Sequence, residues 1–109
     1  MKRGEIWTAS GAPGYGSKPC PALIVQSDVL AETASILTCG FTTQADSERY
    51  FRPEIVASSD NGLGQTSHVM TEKLTAIPRA KLDKRVGKLS DVDMEAVERA
   101  LQLVLGFAG

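Results

Sequence analysis

The chain has 109 residues, 42% of them hydrophobic and 23% charged, and its formal net charge is −1 at pH 7. This length predicts one domain, residues 1–109, with a core of its own, and the composition is typical of a soluble globular protein. The small net charge excludes a protein that coats nucleic acid non-specifically, and no apolar run approaches the length of a membrane span.

Charge is distributed unevenly along the chain. Residues 1–88 carry eleven of the twelve Lys and Arg and nine of the thirteen Asp and Glu, whereas the terminal segment has four acidic residues against Arg99 alone. A mildly basic body with an acidic end is compatible with a local nucleic-acid groove and equally with a solvated surface of mixed charge.

The first residues of the chain indicate its cellular compartment, and that compartment determines how we interpret its two cysteines. Residues 2–7 contain strand-forming residues and no apolar core of a signal peptide, so we expect a cytoplasmic protein. Two cysteines in that compartment do not make a disulfide framework. We therefore expect Cys20 and Cys39 to be reduced.

The first third of the chain predicts two strands and a loop. Glu5–Ala9 reads as a strand, and Ser10–Ser17, with three glycines and a proline, reads as a loop. Pro21–Gln26 is almost wholly apolar, which predicts a strand buried on both faces. Pro19 and Pro21 confine its start to an edge or first position, because neither residue donates to a ladder.

The middle of the chain predicts three further strands, and its end predicts one helix. The strands are Ser35–Thr42, Glu54–Ala57 and His68–Ile77, and Asp60-Asn61-Gly62 is a tight-turn signal. The helix begins at Ser90, where Ser90 and Asp93 resemble a capping box. Its apolar stripe has helical spacing, and Gly106 ends it. The stripe consists of Met94, Val97, Leu101 and Val104. The pattern predicts a small, mostly antiparallel, barrel-like sheet with a C-terminal helix packed on it.

Residue patterns alone give no strong catalytic signature. His68 is the single histidine and has no partner evident from spacing, so we interpret it as a surface or structural residue. No Cys-x-x-Cys occurs, and we predict no metal and no cofactor. The glycines of the first loop do not form a phosphate loop, because no lysine-serine or lysine-threonine pair follows. Its residues Gly14, Tyr15, Gly16 and Ser17 are either a flexible connection or a mobile gate over a site.

Three segments carry a family resemblance. They are Arg3-Gly4-Glu5-Ile6-Trp7, then Lys18 to Asp28, then Thr38-Cys39-Gly40-Phe41-Thr42-Thr43-Gln44. In this order they resemble the MazF/PemK (Kid) family of toxin endoribonucleases, from Met1 to about Gly106. The resemblance implies an SH3-like barrel that forms a homodimer, with the terminal helix near the interface. It also implies an antitoxin partner whose disordered tail folds over the RNA site.

The resemblance implies a reaction and a set of residues for it. The family cuts single-stranded RNA at short motifs without metal, through attack of the ribose 2′-hydroxyl on the adjacent phosphorus. An arginine before a proline and a threonine on the next strand are assigned to this work, and the matching positions are Cys20 and Thr42. RNA contacts are implied, each with a structural alternative, for Lys18, Pro19, Thr43, Gln44, Glu72, Lys73 and Arg79.

Cys20 departs from the family pattern. Arginine offers a permanent charge and five donors, whereas cysteine offers a weak donor and a thiol that is mostly protonated at neutral pH. Losing a positioned donor of this kind costs about 10²–10³ in rate. We expect impaired catalysis with the fold, the dimer and the antitoxin site retained. Cys20 is either a substitution that removed toxicity or a natural divergence.

Two alternative functions share the same fold. A toxin of the CcdB type poisons DNA gyrase and needs no acid–base group, so Cys20 would not matter to it. The three matching segments nevertheless follow the ribonuclease branch. The other alternative is a catalytically dead dimer that only titrates antitoxin.

Overall fold

A computed structural model describes residues 1–11, 17–44 and 50–107. In these ranges the chain forms β-strands, one α-helix and three single turns of 3-10 helix. The strands are β1 (Glu5–Ala9), β2 (Cys20–Ile24), β3 (Ser35–Thr42), β4 (Glu54–Ile55), β5 (Ser67–Val69), β6 (Thr75–Pro78) and β7 (Leu82–Lys88). The helix α1 is Asp91–Val104, and the 3-10 turns are Asp28–Leu30, Thr71–Lys73 and Arg79–Lys81.

The strands form one curled antiparallel sheet. Its order is β4-β5-β3-β2-β1-β7, with β6 also paired to β3. β3 is long enough to serve two partners on one edge, because its first half pairs with β6 and its last two residues pair with β5. The result is a half-barrel followed by one helix, which confirms the predicted mostly-β fold.

The two faces of the sheet bury two separate cores, since side chains alternate between faces along each strand. The first, which we call the helix-side core, joins strand residues such as Leu23, Cys39 and Val69 to Met94 and Val97 of α1. The second core lies on the other face and consists of Ala9, Ala22, Ile24, Ile36, Ile77 and Leu82, with Cys20 packed against it. Cys20 and Cys39 therefore lie on opposite faces of the sheet.

The helix follows its sequence signals. The hydroxyl of Ser90 accepts a hydrogen bond from the backbone N–H of Asp93 at 3.1 Å, which caps the first turn. Met94, Val97 and Ala100 are buried. Gly106 has a φ of +80° and ends the helix, because this left-handed conformation suits glycine. No helix in the described ranges is long and apolar enough to cross a membrane.

The predicted single strand His68–Ile77 is two strands in the structure, β5 and β6, separated by a turn. The chain leaves the sheet after Val69, forms the 3-10 turn Thr71–Lys73 and re-enters as β6. The buried Thr71 hydroxyl donates a hydrogen bond to the carbonyl of Phe51. This hydrogen bond holds the segment in a turn despite its strand propensity.

Two other strand predictions need adjustment. β7 was missed, because four of its seven residues are charged and this composition suits an exposed edge strand. The predicted strand Glu54–Ala57 is only the two residues of β4.

Candidate active site

The register of β2 and β3 brings the two candidate catalytic residues together. Their pairing runs through Ala22 and Gly40, and the same register two residues further places Cys20 opposite Thr42. Both are half-buried, and both lie on the face of the second core. Side chains directly opposite in an antiparallel pair are about 5 Å apart at Cβ. The site therefore joins two segments that are distant in sequence.

The approach to β2 supplies the exposed side of the site. Ser17, Lys18 and Pro19 are exposed immediately before Cys20. The Cys20 thiol donates to the carbonyl of Lys18 at 3.4 Å, which holds the turn against the strand start. Of the predicted gate, Gly14, Tyr15 and Gly16 lie outside the described residues.

The end of β3 orients the Thr42 hydroxyl. Its oxygen accepts a hydrogen bond from the backbone N–H of Gln44 at 3.2 Å, a local turn of the kind that threonine favours. The hydroxyl hydrogen remains available to a second acceptor. Thr43 and Gln44 are exposed just beyond it.

A groove opens beside Thr42. Its volume is about 410 Å³, and it is lined by Pro21, Phe41, Thr42, Thr43, Leu63, Gly64, Gln65 and Ser67. This volume falls in the range of small-ligand sites. A larger cavity of about 870 Å³ lies elsewhere, between the 56–61 segment, β7 and the start of α1, and contains none of the predicted site residues.

His68, which we interpreted from the sequence as a surface or structural residue without a partner, lies next to Thr42. The register pairs Thr42 with His68 and His68 with Glu54. Nε2 of His68 is 3.6 Å from a Glu54 carboxylate oxygen, and the imidazole is only 6% exposed. Its Nδ1 is buried and has no hydrogen-bond partner among the described residues. Glu54 is fourteen positions away in the sequence, so no local motif could have revealed this pair.

Comparison with known proteins identifies the family. The family model described as "PemK-like, MazF-like toxin of type II toxin-antitoxin system" matches residues 2–105. The chain belongs to this toxin family. It is 40% identical over its whole length to the whole of "Probable endoribonuclease MazF" from Mycolicibacterium smegmatis. It is 26% identical over 96% of both chains to "Endoribonuclease MazF9" from Mycobacterium tuberculosis.

A solved structure of similar fold supports the architecture. It is described as "Endoribonuclease in complex with its cognate antitoxin from Mycobacterial species", with a TM-score of 0.83 over all of this chain and 98% of that chain. Its sequence identity of 22% makes this a likeness of fold. None of these relatives favours the gyrase-poisoning alternative.

In this MazF-like toxin, the predicted RNA contact Glu72 makes an internal ion pair. Nε of Arg52 lies 3.1 and 3.0 Å from the two carboxylate oxygens of Glu72, and the guanidinium also contacts the carboxylate through Nη2. These hydrogen bonds lower the pKa of Glu72 although burial opposes them. Lys73 beside it is exposed. Sequence reasoning missed Arg52, because its partner lies across the fold.

Arg79 lies at the opposite end of β3 from Thr42. Its neighbour Pro78 pairs with Ser35, the first residue of the strand. Its guanidinium donates to the carbonyls of Ala31 at 2.5 Å and Thr33 at 2.9 Å. The eight residues of β3 put about 23 Å between its ends. The structure thus brings Lys18, Pro19, Cys20, Thr42, Thr43 and Gln44 together and places Arg79 elsewhere.

The described residues contain no group of three or more His, Cys, Asp or Glu side chains that could hold a metal ion. The side chains at the candidate site are themselves a thiol at Cys20 and a hydroxyl at Thr42, with the exposed Lys18 two residues before Cys20.

Proposed function

We propose that this toxin is a metal-independent endoribonuclease that cuts single-stranded RNA at short sequence motifs. The curated relatives reported above are named endoribonucleases, which supports the activity. The observation that carries the proposal is the register of β2 and β3, because its continuation beyond Ala22 and Gly40 sets position 20 opposite Thr42, and Thr42 in turn lines a groove.

Each part of the site has a task in this reaction. The ribose 2′-oxygen bonds to the adjacent phosphorus while the bond to the 5′-oxygen breaks, leaving a 2′,3′-cyclic phosphate and a 5′-hydroxyl. The Thr42 hydroxyl forms a hydrogen bond with the reacting 2′-hydroxyl, and Lys18 adds positive charge beside the phosphoryl oxygens from the rim. A base splayed out of the RNA strand enters the groove, where Thr43 contacts its edge, and the exposed Gln44 contacts the strand just outside the groove. Pro19 and Lys73 contact the flanking nucleotides.

Cys20 limits the rate in this chain. An arginine at position 20 would place a permanent charge and a fork of donors beside the phosphate, and the thiol supplies neither. Position 20 is half-buried at the start of β2 and packs only against the margin of the second core, so a thiol there is expected to alter the chemistry more than the fold. The chain is therefore an endoribonuclease of reduced activity.

Regulation follows the toxin–antitoxin arrangement. We propose a cytoplasmic homodimer whose RNA groove is covered by a disordered antitoxin tail that folds on binding. The family description supports an antitoxin partner, and the similar solved structure is of an endoribonuclease bound to its antitoxin.

The test compares this chain with two variants on a long single-stranded RNA in excess chelator. Cys20→Arg is expected to cleave at least 10²-fold faster than the chain itself, because it restores the charge and donors beside the phosphate. Adding Thr42→Val to Cys20→Arg is expected to remove about 10²-fold again with the melting temperature unchanged. The product should carry a cyclic phosphate, which phosphatase does not release until acid opens it.

Two outcomes contradict the proposal. Cleavage that depends on added metal overturns the metal-free mechanism. Absence of cleavage by both this chain and Cys20→Arg overturns the proposed ribonuclease activity. Tight antitoxin binding by both proteins would then identify a catalytically dead dimer that titrates antitoxin. A gyrase supercoiling assay on the same samples is expected to show no inhibition.

A further inference from the structure

A row of polar side chains crosses four neighbouring strands at the Thr42 end of the sheet. We call it the polar row, and it consists of Cys20 on β2, Thr42 on β3, His68 on β5 and Glu54 on β4. Neighbouring strands are about 4.8 Å apart, so each of these positions lies directly beside the next. The row presents a thiol, a hydroxyl, an imidazole and a carboxylate in that order.

The alternation of side chains places all four residues on the same face. Val69 and Ile55 are buried in the helix-side core, so His68 and Glu54, one position before each, lie on the other face. Thr42 shares that face with Ile36, six residues earlier on β3, and Ile36 belongs to the second core.

His68 is the one member of the polar row with an unpaired buried atom. Leaving a buried polar atom without a hydrogen bond costs about 1–3 kcal/mol, and such atoms in native structures call for an explanation. Glu54 lies 3.6 Å from Nε2, and a carboxylate at one ring nitrogen favours the proton on that nitrogen. Nδ1, which has no partner among the described residues, is then a proton acceptor.

We propose that His68, oriented by Glu54, is a positioning residue that accepts the proton of the Thr42 hydroxyl during RNA cleavage. The inference rests on the proposed endoribonuclease function and adds a proton route to it. As the 2′-oxygen bonds to phosphorus, its proton passes to Thr42 Oγ1, and the proton of Thr42 passes to Nδ1 of His68. The bond to the 5′-oxygen breaks, and water protonates that oxygen.

We call this proton transfer from Thr42 to His68 the relay. It supplies the base that the Thr42 hydroxyl needs in order to accept a proton. A threonine hydroxyl is a poor base by itself and needs an acceptor behind it, in the way that an adjacent base activates a serine or threonine. His68 is the register neighbour of Thr42 on β5, with Glu54 on its far side. Catalytic hydrogen bonds are often long without substrate and tighten when it binds, so this contact forms as RNA draws Thr42 into place.

Charged and titratable groups on the adjoining elements define what a pH profile would report. In the part of the chain that the structure describes, they are Glu54 on β4, on one side of His68, and Cys20 on β2, at the far end of the polar row. Glu54 is the group recorded within ion-pair distance of the imidazole.

The first test measures kcat and KM against pH in the Cys20→Arg background. The parent is expected to lose rate toward low pH, because a protonated imidazole cannot accept a proton. His68→Gln should lower kcat about 10²-fold, flatten that acid limb and leave KM unchanged. Glu54→Gln should lower kcat about 10-fold, and Glu95→Gln on the exposed side of α1 should change nothing. A His68→Gln enzyme with the parent's pH profile overturns the relay.

The second test is independent of activity and of whether His68→Gln folds. The ¹⁵N chemical shifts of the His68 ring in this chain should show a protonated Nε2 and an unprotonated Nδ1 at neutral pH. A proton on Nδ1 overturns the relay, even in an active ribonuclease. The expected tautomer together with an inactive Cys20→Arg variant would instead locate the failure in the proposed function. Glu54 is 61% exposed, so Glu54→Gln is expected to fold normally and carries the kinetic test if His68→Gln does not.

Discussion

The two ends of β3 use polar residues in opposite ways. At the Ser35 end, Gln26 donates to the carbonyl of Leu30 at 2.8 Å and accepts from the N–H of Leu37 at 3.2 Å. Arg79 donates to the carbonyls of Ala31 and Thr33. At the Thr42 end, a half-buried hydroxyl lies beside a groove and beside an imidazole with an unpaired nitrogen.

The polar groups at the Ser35 end of β3 therefore contribute to stability, whereas those at the Thr42 end are available for chemistry. Polar groups that satisfy one another stabilise the fold and have fewer donors and acceptors left for a ligand. A polar atom left unsatisfied costs stability, and such costs concentrate at functional sites. Substitutions at the Ser35 end should therefore alter unfolding, and substitutions at the Thr42 end should alter cleavage.

The largest expected effect on stability is at Arg79. Arg79→Met keeps an unbranched side chain and removes the donors to the Ala31 and Thr33 carbonyls, so the free energy of unfolding should fall by about 2 kcal/mol. Urea unfolding measures this loss. Lys81→Met, an exposed neighbour on the same 3-10 turn, is the matched control and should change unfolding by less than about 0.5 kcal/mol.

Cleavage by the folded Arg79→Met protein tests the other half of the comparison. In the Cys20→Arg background, its rate per folded molecule and its RNA affinity should match those of the parent. A clear loss of RNA affinity without loss of stability would assign Arg79 to RNA contact, as the family resemblance implied.

The sequence predicted the strands and the helix better than it predicted the partners of the polar residues. Apolar runs and the Ser90 cap were sufficient for β1 to β3 and for α1, because these signals are local. The strand β7 was missed, since its charged residues suit an exposed edge. The 3-10 turn after Val69 depends on a hydrogen bond from Thr71 to Phe51, twenty residues away.

The candidate site was likewise predicted only in part. The resemblance pointed to positions 20 and 42, and the register brought them together. Nothing near His68 or Arg52 in the sequence indicated their partners Glu54 and Glu72, because those contacts exist only after the strands have paired. Residue type alone could not distinguish a structural arginine from one that contacts RNA.

An intermediate effect is expected from adding charge at position 20 by chemistry. Treating the chain with 2-bromoethylamine should convert Cys20 into a lysine-like side chain and raise cleavage about 10-fold. The gain is smaller than that of Cys20→Arg, because an ammonium lacks the planar fork of donors. Burial, followed by the charge of Glu72, raises the pKa of Cys39 to about 12, so Cys39 should not react in the folded protein.

Mass spectrometry and a Cys20→Ser control decide the outcome of the alkylation. One adduct per chain, located on Cys20, together with increased cleavage would show that positive charge is what this site lacks. A single adduct without increased cleavage would show that the donors of arginine are indispensable.

The smallest expected effect concerns Glu72, for which the resemblance implied an RNA contact, but which has a hydrogen-bonding partner within the fold, as the polar groups at the Ser35 end do. Its hydrogen bonds to Arg52 place its folded pKa below the unfolded value of about 4.5. The pair therefore stabilises the fold fully above pH 4.5, and this contribution is lost as the pH falls through the lower folded value. Because Glu72 is 26% exposed, Glu72→Gln should cost about 1 kcal/mol at pH 7.

The cost of Glu72→Gln should shrink as the pH falls below about 4.5, since the wild-type carboxylate then becomes protonated as well. Urea unfolding at several pH values measures this convergence, with the exposed Glu95→Gln as control. RNA affinity should stay unchanged at pH 7, whereas Lys73→Gln should weaken it and reduce its salt dependence. If Glu72→Gln weakens RNA binding and leaves unfolding unchanged, the ion pair with Arg52 is incidental, and the carboxylate belongs with Thr42 as part of the site.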